Sequence, residues 1–462
     1  MARRAGTRVR PGFGGTIGCG IATLSAAALL PALSWAQDNE EDSALAPKAE
    51  LTIGQQLAIE NGDFMGVTPL DLNIQSGTRS QLLQFSLSVP IKEGDPDEED
   101  FFSLGDRQSR LFYRRGAKNS AFETELNYRE SDLDDTLVYD EVTNEFVSVD
   151  RGSVATQSAR LGYVFGQQAK VGGEVGLSYS QRDYTDITDA SDSLNDSTST
   201  QGNIALYLEP TPLIRARIVA SQSRVESDGG TDSRSRDAGL GAAIQVDKLT
   251  NLDAQITHNR IRREEEDGTI EDVSGPAYRL ALTRSRPSGD WTLTYDSAPG
   301  TDGRRGNLLL GRSLERRTYE LSAAFGMTHF QGNYDPILNI SYDREISDLS
   351  KFQAALAHRA VIGSDGDEAL NTNLSASYNR QLSDISGLTA AISYRATDVQ
   401  TGDNTDAETF TFDINYNRAL YDDLSLVAGA SITRSSRDGT RDSDDDDERI
   451  YLGVSRSFDW RP

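Results

Sequence analysis

The sequence predicts an all-β chain, a single transmembrane antiparallel up-and-down β-barrel of about 22 strands (range about 18–22), with short periplasmic turns and long acidic extracellular loops. Three observations predict it. Segments alternating apolar and polar recur from about Leu51 to the C-terminus; in one, Leu388, Ala390, Ile392, Tyr394 and Ala396 face one way and Thr389, Ala391, Ser393, Arg395 and Thr397 the other. No helix-period stretch separates these segments. Their connections alternate between tight turns and longer polar loops, which is the asymmetry of a barrel whose two rims meet different compartments.

Residues 1–36 stand apart from the rest. Arg3, Arg4, Arg8 and Arg10 precede an apolar stretch from Ile17 to Leu33 and then Ser34-Trp35-Ala36. A basic n-region, an apolar h-region and a small-x-small site make a cleaved signal peptide. A retained membrane anchor is the competing reading; Gly18, Gly20 and Pro31 interrupt the apolar core and weigh against it. Cys19, the one cysteine, falls inside this leader. The mature chain then holds no thiol for a disulfide or a thiolate metal site. A lipoprotein reading of Cys19 is disfavoured by the apolar run that follows it. Residues 37–50 read as an acidic periplasmic N-terminal segment and residues 51–462 as the barrel.

Only 37% of residues are hydrophobic, and the mean hydropathy is -0.52, values that also suit a soluble acidic chain. In a barrel, however, half of each strand faces a wet lumen, so a low average is expected. Loss of the four leader arginines would take the formal net charge from -26 to -30, which argues against a nucleic-acid partner, since phosphates call for basic patches.

The strands are ordered by walking back from the C-terminus. Ile450, Leu452, Val454 and Phe458 form the apolar row of a final strand that closes on Phe458 and Trp460 and descends to the periplasm. The loop before it, 435–449, contains Asp444 to Glu448. Upstream, short turns are expected near 77–80, 116–119, 166–169, 210–213, 247–251, 287–290, 314–316, 347–350, 383–386 and 421–423. Longer outer loops are expected near 61–68, 92–106, 130–152, 183–198, 227–231, 264–273, 299–304, 328–334, 365–369 and 398–406. Strands descending to the short turns repeat an apolar, tyrosine and arginine spacing on the lipid-facing row, which marks Tyr113, Arg115, Arg312, Tyr342, Arg344, Tyr378, Arg380, Tyr416, Arg418, Arg456, Phe458 and Trp460 as membrane-interface residues. Arginine there can snorkel to lipid phosphates beside an aromatic girdle.

The leader, the period-two rows, the Tyr-x-Arg strand ends and the aromatic final strand together resemble the outer-membrane porin-type β-barrels of Gram-negative bacteria. The resemblance spans the mature chain, and its motifs are architectural. It implies location in the cell outer membrane, contact with outer-membrane lipid and lipopolysaccharide, and the barrel-assembly machinery as a partner during insertion. TonB-dependent receptors, also barrels of about 22 strands, carry a folded plug before the barrel. Here only 37–50 is expected before the first strand, so their energised uptake is not implied.

Chemistry finds little purchase. His258 and His358 lie on apolar rows and His329 in an expected loop, with no serine and asparagine arranged beside them for a lipid-interface hydrolase. No catalytic residue, metal site or cofactor is expected. The acidic runs Asp95 to Asp100 and Asp444 to Glu448 lack the spacing of a calcium loop and read as solvated charge. Lumen-lining candidates are Glu123, Glu125, Glu174, Asp253, Asp296, Glu320, Asp343 and Asp413, with Arg215, Arg217, Arg359 and Arg395. Facing rows of opposite charge can filter polar solutes or simply pair structurally. The leading expectation is therefore a passive channel for small hydrophilic solutes, with long loops constricting the lumen. Its rivals are a non-conducting surface barrel that contacts lipopolysaccharide, polysaccharide or another cell, and the outer-membrane exit of an exopolysaccharide export system.

Arginine costs about 2–4 kcal/mol at the bilayer midplane and about 0–1 near the interface. Arg418→Ala should therefore change folding stability in vesicles by under about 1 kcal/mol, while Ile414→Arg should destabilise several-fold more. Equal costs would mean that the membrane band is misassigned.

Overall fold

Hydrocarbon offers no water to unpaired backbone N–H and C=O groups, so a strand-built span must close on itself. The computed structural model describes residues 47–460 apart from 95–100, 134–135, 141–144, 150, 189–194, 229, 266, 302, 363–367, 400–405, 422 and 438–444. Along the wall each strand pairs antiparallel with its neighbours, and the first strand, Lys48–Glu60, pairs both with Asp63–Thr78 and with the last, Asp445–Trp460. The wall is a closed barrel of 22 strands. The three-residue strand Phe102–Leu104 adds no stave. It pairs with Ile91 to Glu93 and continues Arg107–Ala117 beyond a one-residue register shift at Gly105 and Asp106. A separate hairpin, Thr136–Asp140 with Glu145–Val149, lies in the connection between Ser120–Asp132 and Arg151–Phe165, which pair directly with each other.

The pleat sorts the side chains. One row carries the large exposed apolar residues, among them Leu57, Ile218, Leu240, Phe325 and Leu452, and it faces outward because only lipid accepts so much bare hydrocarbon. The alternate row lines the inside. The repeated Ile, Leu, Val, Tyr and Thr of these segments suit a pleated, half-buried surface.

Three connections expected to be long are short instead, and two of them are two-residue turns. Asn61-Gly62 has φ values of 51° and 98°, and Gln331-Gly332 has 46° and 95°. This is the left-handed pair that matches strand twist in a tight hairpin. The third joins Gly300 to its register partner Gly303. Polar residues such as Asp63 and Asp335 therefore extend strands rather than loops, and His329, expected in a loop, is in the strand Tyr319–Phe330. The turn at Asp267 shows how a short outer connection is held. The hydroxyl and backbone N–H of Thr269 donate to its carboxylate and keep it below the usual range. This support is present above the unfolded carboxyl's pKa and fades as pH falls through the depressed one.

The seam between first and last strands is secured along its length. Leu51 opposes Phe458 and Leu57 opposes Leu452 on the outer row. Inside, the hydroxyls of Thr52 and Ser457 share a hydrogen bond of 2.9 Å, and Lys48 bridges Asp459 at 3.5 Å. At the other end, the backbone N–H of Glu448 donates to Asn61 Oδ1 at 2.9 Å.

Directly opposed Cβ atoms in an antiparallel pair lie roughly 4.5–5.5 Å apart, close to disulfide reach. A Thr52→Cys/Ser457→Cys variant should therefore cross-link in the folded barrel and shift on a non-reducing gel. Thr52→Cys/Val454→Cys, whose side chains leave opposite faces, should not. Efficient linkage of the second pair would overturn the seam register.

Candidate functional site

The inner wall spans the barrel from rim to rim, and it divides in two by depth. Near the outer rim its row is buried. Thr328 and Phe330 are 0% and 1% exposed, and Val67, Val225, Ile261, Asn371, Val361 and Thr397 are also buried. Several of these are apolar, an unexpected choice for a row that is polar elsewhere. Ala58, Met65 and Val67 form a small core on which Tyr451 packs. Toward the short turns the same row opens in one sector, where Asn379, Gln381, Thr389, Asn415 and Asn417 are exposed, while Ala205 stays buried.

Of the charged candidates, the structure brings two groups together on Val171–Thr188 and the strands up to Thr250–Glu264. Arg217 forms a two-pronged bridge to Asp253 at 2.5 and 2.7 Å and donates through Nε to Gln255 Oε1 at 3.1 Å. The contact skips a strand. Arg217 lies on Ile214–Ser227 and Asp253 on Thr250–Glu264, and the guanidinium passes over Gly241 of the strand between them. A Cβ built on Gly241 would stand 2.7 Å from Arg217 Nε. Beside this pair, Glu174 accepts from the Tyr207 hydroxyl, and Arg215 lies 4.2 Å over the Tyr207 ring and 3.4 Å from Glu209.

The other candidates are distributed elsewhere around the wall. Glu125 pairs with Arg110 at 2.7 Å, and Glu123 opposes Arg114 in register. Asp296 accepts from Asn307 at 2.9 Å and opposes Arg279. Glu320 opposes Asp343, which is bridged by Lys351 at 3.0 Å and Gln353 at 2.7 Å. Arg395 donates to Asn373 at 2.9 Å, Arg359 opposes Asn371, and Asp413 opposes Ser431. Glu125, Asp296, Asp343 and Arg395 are thus bonded to near neighbours along the wall, while Glu123, Glu320, Arg359 and Asp413 are placed by register beside Arg114, Asp343, Asn371 and Ser431.

Sequence reasoning passed over an amide-rich sector on the strands from Asn333–Ser347 to Asp445–Trp460. There Glu345, Lys351, Asn379, Thr389, Asn415, Asn417 and Tyr451 line a recess of about 750 Å³. Thr389 donates to Asn379 Oδ1 at 2.8 Å, and the Tyr451 hydroxyl donates to Asn415 Oδ1. The second contact again crosses a glycine, Gly429, whose added Cβ would sit 2.6 Å from the Tyr451 hydroxyl. Alternate asparagines on the polar row, Asn371, Asn373, Asn379, Asn415 and Asn417, were the available signal. Its grouping depends on strand order.

At the turn end, outer-row rings and arginines meet. Tyr113 lies 6.2 Å from Phe122, and Tyr342 sits between Tyr319 at 6.2 Å and Phe352 at 6.1 Å. Arg312 covers Trp291 at 4.9 Å and donates to Gly289 O and Ser288 Oγ, both at 3.1 Å. Arg456 covers Phe458 at 5.1 Å and bridges Asp423 at 2.7 Å, and Phe458 stacks on Trp460 at 6.4 Å. These two arginines hold their own turns. Arg115, Arg344, Tyr378, Arg380, Tyr416 and Arg418 occupy the same outer row, opposite Phe122, Tyr319, Phe352, Leu388, Leu388 and Leu426 respectively. Among the histidines, His358 Nδ1 lies 2.8 Å from Thr372 Oγ1 and the His329 ring 4.5 Å from that of Tyr334. No group of three or more metal-ligating side chains occurs among the described residues.

No family model and no curated protein matches the sequence. Solved structures match the fold over most of its length. The ferric-catecholate import receptor Fiu of E. coli K12 superposes with a TM-score of 0.57 at 9% identity, covering 91% of this chain and 82% of that one. This chain has the fold of an outer-membrane barrel. The FrpB iron transporter of Neisseria meningitidis matches with a TM-score of 0.55 at 9% identity (90% and 82% covered). The siderophore receptor PiuA of Acinetobacter baumannii matches with 0.54 at 10% (88% and 82%). At such identity the likeness is one of fold.

A double-mutant cycle on Arg217→Gln and Asp253→Asn should return a coupling of about 1–3 kcal/mol. Gly241→Val should destabilise by a similar amount, since its side chain takes the guanidinium's space. Gly162→Val, with nothing within 4 Å of its Cβ position, should be close to neutral, and equal costs at the two glycines would refute the packing argument.

Proposed function

We propose that the barrel passes small hydrophilic solutes across the outer membrane, through a lumen packed near its outer mouth and open below it. The observation that carries this reading is the division of one inner row by depth, with buried Thr328, Phe330, Ile261 and Val361 toward the outside and the exposed amide recess toward the short turns. Amide and hydroxyl groups donate and accept at once, so the recess suits neutral polyhydroxylated solutes as well as cations drawn by Asp343 and Glu345. Its volume lies within the usual range of small-molecule sites, about 300–1,000 Å³. The packed mouth implies a small resting conductance.

The fold shared with siderophore receptors supports a second reading, in which a bound iron chelate is taken up and the unliganded barrel leaks nothing. The twelve charged candidates would then serve wall stability alone.

Planar-bilayer recording of the purified protein separates the two. Passage predicts small single-channel steps that favour cations, because a net charge of -26 concentrates them at low ionic strength and salt screens the effect. Phe330→Ala/Ile261→Ala should enlarge the steps by opening the mouth. Silence from both proteins, together with saturable binding of a ferric catecholate, would overturn passage in favour of uptake.

A further inference from the structure

The full chain has a formal net charge of -26, yet one sector of the barrel's outward face gathers arginine. Arg224, Arg234 and Arg262 oppose one another across three neighbouring strands, and Arg236 opposes Arg260 one step lower. All five lie on the lipid-facing row, toward the long-loop rim. Like charges directly opposite on a sheet destabilise it. Three acids answer part of the cluster. Arg224 bridges Glu226, Arg260 bridges Asp272, and Arg262 approaches Glu264 at 3.5 Å. Arg234 and Arg236 both donate to the neutral Gln222 at 3.2 Å. Asp232 adds a fourth acid on the same row, opposite Glu264, and five arginines against four acids leave the cluster net positive, with Arg236, Arg260 and Arg262 exposed.

Below it, on Asp232–Gln245, Thr250–Glu264 and the next strand Ile270–Arg284, the outer wall is hollowed. Leu240, Ala242, Ala254, Ile256, Tyr278 and Leu280 border an apolar recess of about 570 Å³ that opens toward lipid. Ala242 and Ala254 are register partners, and their small side chains make the hollow between bulkier neighbours. From Ile256 to Arg260 is about 14 Å of strand, roughly 10 Å of depth at a barrel strand's tilt. The apolar row of Asp232–Gln245 runs only from Ile244 to Ala238, about 20 Å of strand, before Arg236 begins, shorter than a full membrane band.

We propose that this sector is a binding site for a phosphorylated glycolipid of the outer leaflet, of the lipid A type, with its phosphates on the arginine cluster and an acyl chain in the apolar recess. The cluster is about two strand spacings wide, near 10 Å, enough for a headgroup with two phosphates. Charge-assisted guanidinium–phosphate bonds are the strong ones, and the anion also relieves the repulsion between opposed arginines. Free phosphate would satisfy the arginines and leave the hollow unexplained; an uncharged lipid would do the reverse.

Native mass spectrometry of the full mature protein in detergent, titrated with bisphosphorylated lipid A, dephosphorylated lipid A and phosphatidylethanolamine, tests this. Wild-type protein should prefer the bisphosphorylated form by about tenfold or more, as expected for one or two charge-assisted contacts. Arg236→Gln/Arg260→Gln should lose that preference, Ala242→Phe/Ala254→Phe should weaken binding of both lipid A forms, and Arg312→Gln/Arg456→Gln at the opposite rim should change neither. Millimolar inorganic phosphate should not displace the lipid. Equal retention of the two lipid A forms by wild-type protein, a measurement that needs no variant to fold, would overturn the proposal, as would full displacement by phosphate or an unchanged preference in Arg236→Gln/Arg260→Gln.

Discussion

Everything in this molecule depends on the pairing of Lys48–Glu60 with Asp445–Trp460. An open sheet would present two rows of unpaired backbone groups to hydrocarbon, each costing several kcal/mol. The two strands that must meet are almost the full described chain apart, so the link is bought with the loop entropy of the entire barrel. Its contacts are accordingly continuous, from Lys48 and Asp459 at one end, through Thr52 and Ser457, to Asn61 and Glu448 at the other.

Closure also makes the inner wall concave, which explains a recurrent device there. On a concave face, side chains from strands n and n+2 converge, and a glycine on strand n+1 lets them touch. Arg217 reaches Asp253 over Gly241, and Tyr451 reaches Asn415 over Gly429. Long polar side chains then lie along the wall with their partners instead of reaching across the lumen. Much of the charged lining, Arg217 with Asp253 and Arg110 with Glu125 among it, is paired locally, while the amide sector keeps exposed donors and acceptors. Side-chain pairing and exposed polar groups thus fall to different sectors of one surface.

The outer wall divides by height in a comparable way. At the turn rim, Arg312 and Arg456 are held by turn atoms and aromatic faces, so these cations are spent within the protein. At the loop rim, Arg234 and Arg236 share an amide and face other arginines, so theirs is available to a partner. Shallow placement makes arginine affordable at both rims, but only one rim leaves charge over a hollow.

The alternation of apolar and polar residues by itself determined the barrel, its strand count and which row meets lipid, because side-chain direction in a strand has period two and needs no knowledge of neighbours. It put Arg217 and Asp253 on one face but could not join them, since their contact depends on register across a third strand and on the absence of a Cβ at Gly241. It overestimated the connections at Asn61 and Gln331, where a polar residue before glycine forms a two-residue turn and the polar residues that follow continue as strand beyond the membrane. The buried mouth, the amide recess and the opposed arginines above Ala242 and Ala254 were decided only by the tertiary structure, because each gathers residues from three or more strands whose distances apart are set by barrel closure and stagger.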